Sequence, residues 1–314
     1  MNDSRRITEG ALMAGLYLLL LLVHIFLPFI GAFVLIALPV PFIVYTYKHG
    51  WKPGAIVFIA SIILSSLMAT IYSIPVTILM GLGGMFTGWA MHQKRNAYET
   101  WAAGSIGFII GLVIVFASSQ LLFNVSWTET VQTTIDQALR NAETMLNNFG
   151  GGASEEQLAL LEEQVSSWPD LIPSMLAFVG IGLAFIGQWL SYKMINRLEQ
   201  TKLSFPAFRD FRLPLSLLWY YFFALILDLV ITDTDSIWNL AAINLFTLTG
   251  SLILLQGFAF IFYYAHIKGK SKALPITAVV LSFLFPMILL YLVRILGIID
   301  IGFSLRERLN GNKK

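Results

Sequence analysis

Nine long apolar stretches, separated by short loops rich in Lys and Arg, account for most of this chain, and stretches of that kind have few ways to fold. Residues 11–27 carry His24 as their only ionisable side chain. About twenty such residues, at a helical rise of about 1.5 Å each, cross the hydrocarbon core of a bilayer. The chain therefore reads as all-α, a polytopic helical membrane protein with about nine transmembrane segments.

Composition agrees with that reading. Apolar residues make up 57% of the chain and charged residues 12%, against roughly 45–50% and 25% for ordinary soluble domains. A water-soluble fold would lack polar surface. The absence of Cys removes disulfides, thiolate metal sites and cysteine nucleophiles together. Arg5 and Arg6 precede the first apolar run as a secretory leader's charges would. That run is long, is followed at once by another and offers no small-x-small cleavage site, so it is expected to stay as an uncleaved first span. The arginines also lack the pattern of a twin-arginine export signal.

Spans are expected near residues 7–27, 30–47, 54–73, 75–91, 101–124, 171–193, 214–232, 238–266 and 274–297. Pro39, Pro41 and Pro286 fall inside spans and are expected to kink them. Lys and Arg flanking a span are retained in the cytoplasm. Five basic segments share that side if the N-terminus is inside: Arg5 with Arg6, Lys48 with Lys52, Lys94 with Arg95, the loop from Lys193 to Arg212, and Lys268 to Lys272. The other side receives Asp233, Asp235 and the segment 125–170, which holds eight acidic residues and Arg140 as its single base.

The C-terminus resists the rule. A ninth full crossing puts Arg306, Arg308, Lys313 and Lys314 outside. A re-entrant hairpin over 274–303, divided at Pro286, would return them inside. Nine crossings are the working expectation, since C-terminal charges often lose to earlier signals. Two units follow: a six-span bundle over 1–200 carrying an extracytoplasmic helical hairpin at 125–170, and C-terminal membrane segments with a basic tail over 201–314. In the hairpin, Val131, Ile135, Ala138, Leu139, Ala142, Met145 and Leu146 form an apolar stripe at helical spacing, and Ser154 with Gln157 makes a capping box for a second helix.

Few residues invite chemistry. His24, Tyr72, Gln120 and Asn124 share a depth in the outer half of the first, third and fifth spans, with Trp127 just beyond. They are the candidate substrate-binding residues, lining a cavity that opens outward. Taken singly, each also fits an interfacial or helix-bonding role. Asp228 and Arg294 are costly inside a membrane, and nine crossings put them at matched depth, so they form a candidate intramembrane ion pair. Small residues recur four apart at Gly10 and Ala14, Ala11 and Gly15, Gly84 and Gly88, and Gly107 and Gly111, which suits close helix packing. The run Gly81 to Gly84 follows no strand and lacks Lys-Ser or Lys-Thr, so it is no phosphate loop. No zinc-protease pair, nucleophile elbow or metal-ligand spacing appears. An enzyme is not expected, nor a metal, a cofactor or a nucleic-acid partner.

Thr8 to Gly15 at the start of the first span, Ala37-Leu38-Pro39-Val40-Pro41, and Lys48 to Ala55 together resemble the substrate-binding S subunits of energy-coupling factor transporters. Those subunits have six helices, and the first six spans here match that layout. The resemblance implies that Gly10, Ala11, Ala14 and Gly15 contact a coupling-module membrane protein served by separate ATPases, while a small-molecule ligand enters from outside. The acidic hairpin and everything from Leu213 onward depart from a six-helix subunit. The whole chain is also similar to the YybS-like family of bacterial multi-pass membrane proteins, a likeness that brings no activity with it. The expected function is a small-molecule-binding transporter subunit of the cell membrane without its own ATPase. The alternative is a non-transport scaffold or regulator.

Overall fold

The structure, a computed structural model, describes residues 3–123, 125–148, 165, 168–233 and 236–311. Every regular element among them is a helix, and eight helices or helix pairs are long and apolar enough to cross a membrane. The chain divides into two compact units, Met1–Phe205 and Pro206–Lys314.

The first unit contains six of the long apolar segments. Its helices are α1 (Asp3–Phe26), α2 (Pro28–Leu35), α3 (Val40–His49), α4 (Trp51–Ala69), α5 (Ile74–His92), α6 (Ala97–Phe123), α7 (Trp127–Asn148) and α8 (Ile172–Glu199). The second expected span is a broken one. Pro39 and Pro41 cannot donate to the preceding turn, so tight i to i+3 bonds from Ala37 and Leu38 carry the chain from α2 into α3. Gly50 separates α3 from α4 at φ +82°, a value glycine reaches without strain.

Close backbone approach organises this bundle. A Cβ at Gly84 would lie 2.8 Å from the Pro39 carbonyl oxygen, and one at Gly88 would lie 2.5 Å from that of Ile43. One at Gly107 would lie 2.8 Å from the Leu82 oxygen. These glycines let α5 sit against α3 and α6 at distances a side chain forbids, and dispersion rather than hydrophobic burial then holds the contact in lipid. Tyr17, Leu21, Phe42, Met80 and Phe108 fill the interior. A chain of hydroxyls threads it: Tyr17 donates to Thr77 Oγ1 at 2.8 Å, and Thr77 lies 3.0 Å from Ser65 Oγ. At one end of the bundle Glu9 accepts from Arg5 at 3.0 Å and Lys48 at 2.7 Å, and its other contact is His49 Nε2 at 2.9 Å. That cluster ties α1 to α3.

The stripe read from the sequence over 131–146 falls on α7, with Ile135 buried and Val131, Leu139 and Ala142 half-buried. The second helix expected after it, and its cap at Ser154, lie outside the described residues.

The second unit holds α9 (Ser216–Val230), α10 (Ile237–Ile267), α11 (Ala273–Leu284), α12 (Pro286–Phe303) and α13 (Leu305–Gly311). Two of the expected spans differ from expectation. The seventh is the 15-residue α9, about 22 Å long at 1.5 Å per residue. The ninth is broken at Phe285–Pro286, where proline ends α11 and starts α12.

The direction of α12 follows from what it touches. A Cβ at Gly297 would meet the Ile253 oxygen, Gln256 bonds Asp300, and Tyr263 reaches the Arg306 carbonyl at 3.3 Å. Both helices advance together, so α10 and α12 run parallel. The two therefore end on the same side, and α12 brings Arg306 and Arg308 back to the side where α10 delivers Lys268, Lys270 and Lys272. A single straight ninth crossing is thus replaced by α11 leading away and α12 returning. Among the described residues, the basic groups that follow α10 and α12 thus gather on one side, as flanking Lys and Arg do at a membrane.

Candidate functional site

The outer polar residues of the first unit do not converge. His24 Nδ1 bonds the Gly31 carbonyl oxygen at 2.9 Å, which ties α1 to α2. Tyr72 sits in the turn Ile71–Ser73 with its side chain exposed, while its neighbour Ser73 points inward and donates to the Ser65 carbonyl oxygen at 3.0 Å. Gln120 is exposed on α6. Trp127 donates to Ser119 Oγ at 2.6 Å and stacks on Phe116, which anchors the start of α7 on the end of α6. Asn124 lies outside the described residues. Since α1 packs on α2, α3 and α4 while α6 packs on α5 and α8, His24 and Gln120 belong to different faces of the bundle.

The four small residues of α1 separate by face. Gly10 and Ala14 turn inward, Gly10 against the Tyr45 hydroxyl and Ala14 into the core. Ala11 and Gly15 turn outward, and a Cβ at Gly15 would meet nothing within 4 Å. Gly84 with Gly88 and Gly107 with Gly111 serve packing inside the bundle.

In the second unit, the polar groups gather at the end where α10 and α12 finish. Asp300 and Arg306 form a buried ion pair, their side chains 2% and 3% exposed. Arg306 approaches the carboxylate through Nε and Nη2, each 2.9 Å from Oδ2. Its Nη1 donates to the Arg209 carbonyl oxygen at 2.7 Å, and its guanidinium lies over the Tyr263 ring. Gln256 completes the seam. It donates to Asp300 and accepts from the Leu213 backbone N–H at 3.0 Å. Segment 209–213 is thereby stitched to α10 through Gln256 and to α13 through Arg306. Paired and hydrogen-bonded in this way, two buried charges offset each other's desolvation, which an isolated one cannot do. Beside the seam is a partly open hollow of about 120 Å³ that also meets Arg212, Ser304 and Glu307. Arg212 and Glu307 face each other at 3.8 Å, so acids and bases balance there.

The sequence reading missed this pair. Its ninth span stopped at residue 297, which left Asp300 among loop residues and Arg306 among tail charges. An acid at the end of an apolar run, six residues before an arginine, was the available signal.

Arg294 has a different situation. It is the ninth of the 18 residues of α12. Among the described residues no ion pair joins it to Asp228, which is exposed on α9. The depth match presumed a straight ninth crossing. In the parallel arrangement Arg294 and Tyr221 both lie beside Gly250, and Asp228 is seven residues beyond Tyr221, about 10 Å further along α9 at 1.5 Å per residue. The guanidinium instead lies 5.9 Å from the Phe246 ring centroid, and its Nε is buried without a hydrogen-bond partner. An arginine at a helix centre in a membrane costs about 2.5–3.5 kcal/mol on insertion scales. A cation–π contact returns only part of that.

Among the described residues no group of three or more His, Asp or Glu side chains is gathered as a metal site requires.

The comparisons with known proteins agree on the class. A family model described as "Predicted membrane protein (DUF2232)" matches residues 15–301. The chain is 28% identical over 309 residues to a Bacillus subtilis (strain 168) protein named "Uncharacterized protein YybS", covering 98% of this chain and 99% of that one. No solved structure matches. A polytopic helical chain matched over nearly its whole length in this way belongs to the DUF2232 family of predicted membrane proteins.

Proposed function

We propose that this protein is the small-molecule-binding subunit of a transporter in the cell membrane, with a cytoplasmic N-terminus and no ATPase of its own. In this reading it is not an enzyme, and a separate coupling membrane protein with its ATPases supplies the energy. The observation that carries the reading is the outward face of α1. Ile7, Ala11, Leu12, Gly15 and Leu19 are all exposed there, with Ile7 at 68% and Leu12 at 62%. Small residues between larger apolar ones make a shallow seat into which another membrane helix packs closely. The seat sits on a six-span unit, the layout the S-subunit resemblance implies.

The test is purification in mild detergent from native membranes, with mass spectrometry of what travels along. Wild type is expected to bring a coupling membrane protein and ATPase subunits. Ala11→Trp and Gly15→Trp should each lose them by roughly tenfold or more, since a bulky ring at a close helix contact forfeits several packing contacts. Equal recovery from wild type and both variants would rule out α1 as the contact.

A second reading, a scaffold or regulator, draws on the stitched segment 209–213. An ordered basic strip presents a fixed surface to a protein partner, whereas a loose loop of the same charge would lie on anionic lipid. A purification that yields one reproducible protein partner and no ATPase favours it.

A further inference from the structure

The hollow beside the Asp300–Arg306 pair offers more polar capacity than the protein uses. It measures about 120 Å³, is partly open, and is lined by polar or charged residues apart from Leu213 and Ile301. Its floor is paired: Asp300 Oδ2 lies 2.9 Å from both Arg306 Nε and Nη2, and Gln256 bonds the same carboxylate. Its rim is not. Arg212 and Glu307 stand 3.8 Å apart with side chains 54% and 71% exposed, too far for a hydrogen bond. The Ser304 hydroxyl beside them makes no hydrogen bond among the described residues.

The backbone that carries these rim groups is fixed, although their tips are free to turn. Arg212 lies between two anchored points, the Arg209 carbonyl oxygen that accepts from Arg306 and the Leu213 N–H that donates to Gln256. Ser304 takes φ +49°, which turns the chain from α12 into α13, and its carbonyl oxygen accepts the Glu307 N–H at 3.0 Å. A cation, an acid and a hydroxyl are thus set round one opening, and their exposure puts that opening within reach of water.

Charge balance decides what the opening suits. Arg212 and Arg306 are positive, Asp300 and Glu307 negative, and all four border the hollow. A lone anion there meets Glu307 at the rim and Asp300 on the floor, and a lone cation meets Arg212 and Arg306. A small molecule carrying both signs finds a partner for each end. It also displaces an exposed ion pair that contributes little as it stands, and replaces it with charge-assisted hydrogen bonds.

We propose that the hollow is a binding site for a small zwitterion of the amino-acid class, its carboxylate on Arg212 and its ammonium on Glu307, with the Ser304 hydroxyl as a further partner. The planar guanidinium fork matches a carboxylate, and the Glu307 carboxylate accepts from an ammonium. The site lies within the second unit and does not rest on the first unit's part in transport.

The experiment measures saturable binding of radiolabelled glycine, the simplest member of the class, to the full chain in phosphatidylcholine nanodiscs. Unlabelled glycine, acetate and methylammonium serve as competitors. Wild type should bind, and acetate and methylammonium, each carrying one end of the zwitterion, should displace the label roughly tenfold less effectively than glycine. Arg212→Gln and Glu307→Gln should each weaken binding by roughly tenfold or more, as losing a charged hydrogen bond does. Both positions are exposed, so these variants should melt with the wild type. Arg212→Lys and Glu307→Asp keep the charges and should keep part of the binding. No saturable binding in wild type, displacement by acetate or methylammonium as effective as by glycine, or unchanged binding in both Gln variants would overturn the site.

Discussion

Replacing Asp300 with Ala should destabilise the second unit by about 3–5 kcal/mol, because it strands the Arg306 guanidinium in a buried position with no counter-charge. The side chain of Arg306 is 3% exposed and cannot turn to water without tearing Nη1 from the Arg209 carbonyl oxygen. Gln256 loses a partner in the same step, and the segment 209–213 loses its stitching. Unfolding in detergent, followed by titration with a denaturing surfactant, measures the change. The double variant Asp300→Leu with Arg306→Met gives the sharper reading. With both charges gone, only the Gln256 and Arg209 hydrogen-bonding groups are left unsatisfied, at roughly 1–3 kcal/mol. The double variant should therefore be more stable than Asp300→Ala alone. Strictly additive losses would mean that the two side chains are not coupled.

The second large effect is expected at the crossing of α10 and α12. Gly257 and Gly297 face one another there: a Cβ at Gly297 would lie 2.1 Å from the Ile253 oxygen and 3.0 Å from the Gly257 nitrogen, and one at Gly257 would lie 2.1 Å from the Val293 oxygen. Backbone atoms cannot yield as a flexible side chain can. Gly297→Leu must push the helices apart, and with them the Gln256–Asp300 bond, so a loss at or above the usual 1–3 kcal/mol of overpacking is expected. Gly302 lies on the same helix, with only Leu218 Cδ1 at 3.5 Å from a Cβ. Gly302→Ala should raise stability by roughly 0.5–1 kcal/mol, since alanine loses less backbone entropy in a helix. Opposite signs on one helix separate a close crossing from general intolerance of side chains.

These two sites also show what the sequence made legible. Hydropathy reports depth, so the six apolar segments of the first unit and the long α10 were readable directly. Proline chemistry marked the breaks at Pro39, Pro41 and Pro286. The sequence divides the chain near residue 200, and the structure divides it between Phe205 and Pro206. Depth says nothing about which way a residue faces round its helix. Gly10 and Ala14 share a spacing with Ala11 and Gly15, yet one pair packs inward and the other looks out, because one residue is about 100° of turn.

Direction was the other missing quantity. A straight ninth crossing brings Asp228 and Arg294 to one depth. A break at Pro286 separates them and instead sets Asp300 beside Gln256, a glutamine that hydropathy merely averages into its span. His24 and Trp127 find their partners, the Gly31 carbonyl and the Ser119 hydroxyl, close in sequence. Local bonds of that kind need no cavity to explain them.

The returning α12 puts the tail on the side of Lys268–Lys272. The chain has no Cys, so single cysteines report topology without a background. Lys270→Cys, Arg308→Cys and Thr232→Cys, each in intact cells or sealed vesicles, would be treated with a membrane-impermeant maleimide applied from one side and then the other. Parallel α10 and α12 require Lys270→Cys and Arg308→Cys to label from the same side, and Thr232→Cys, between α9 and α10, from the opposite one. Labelling of Arg308→Cys together with Thr232→Cys would contradict the returning α12 and restore a straight ninth crossing.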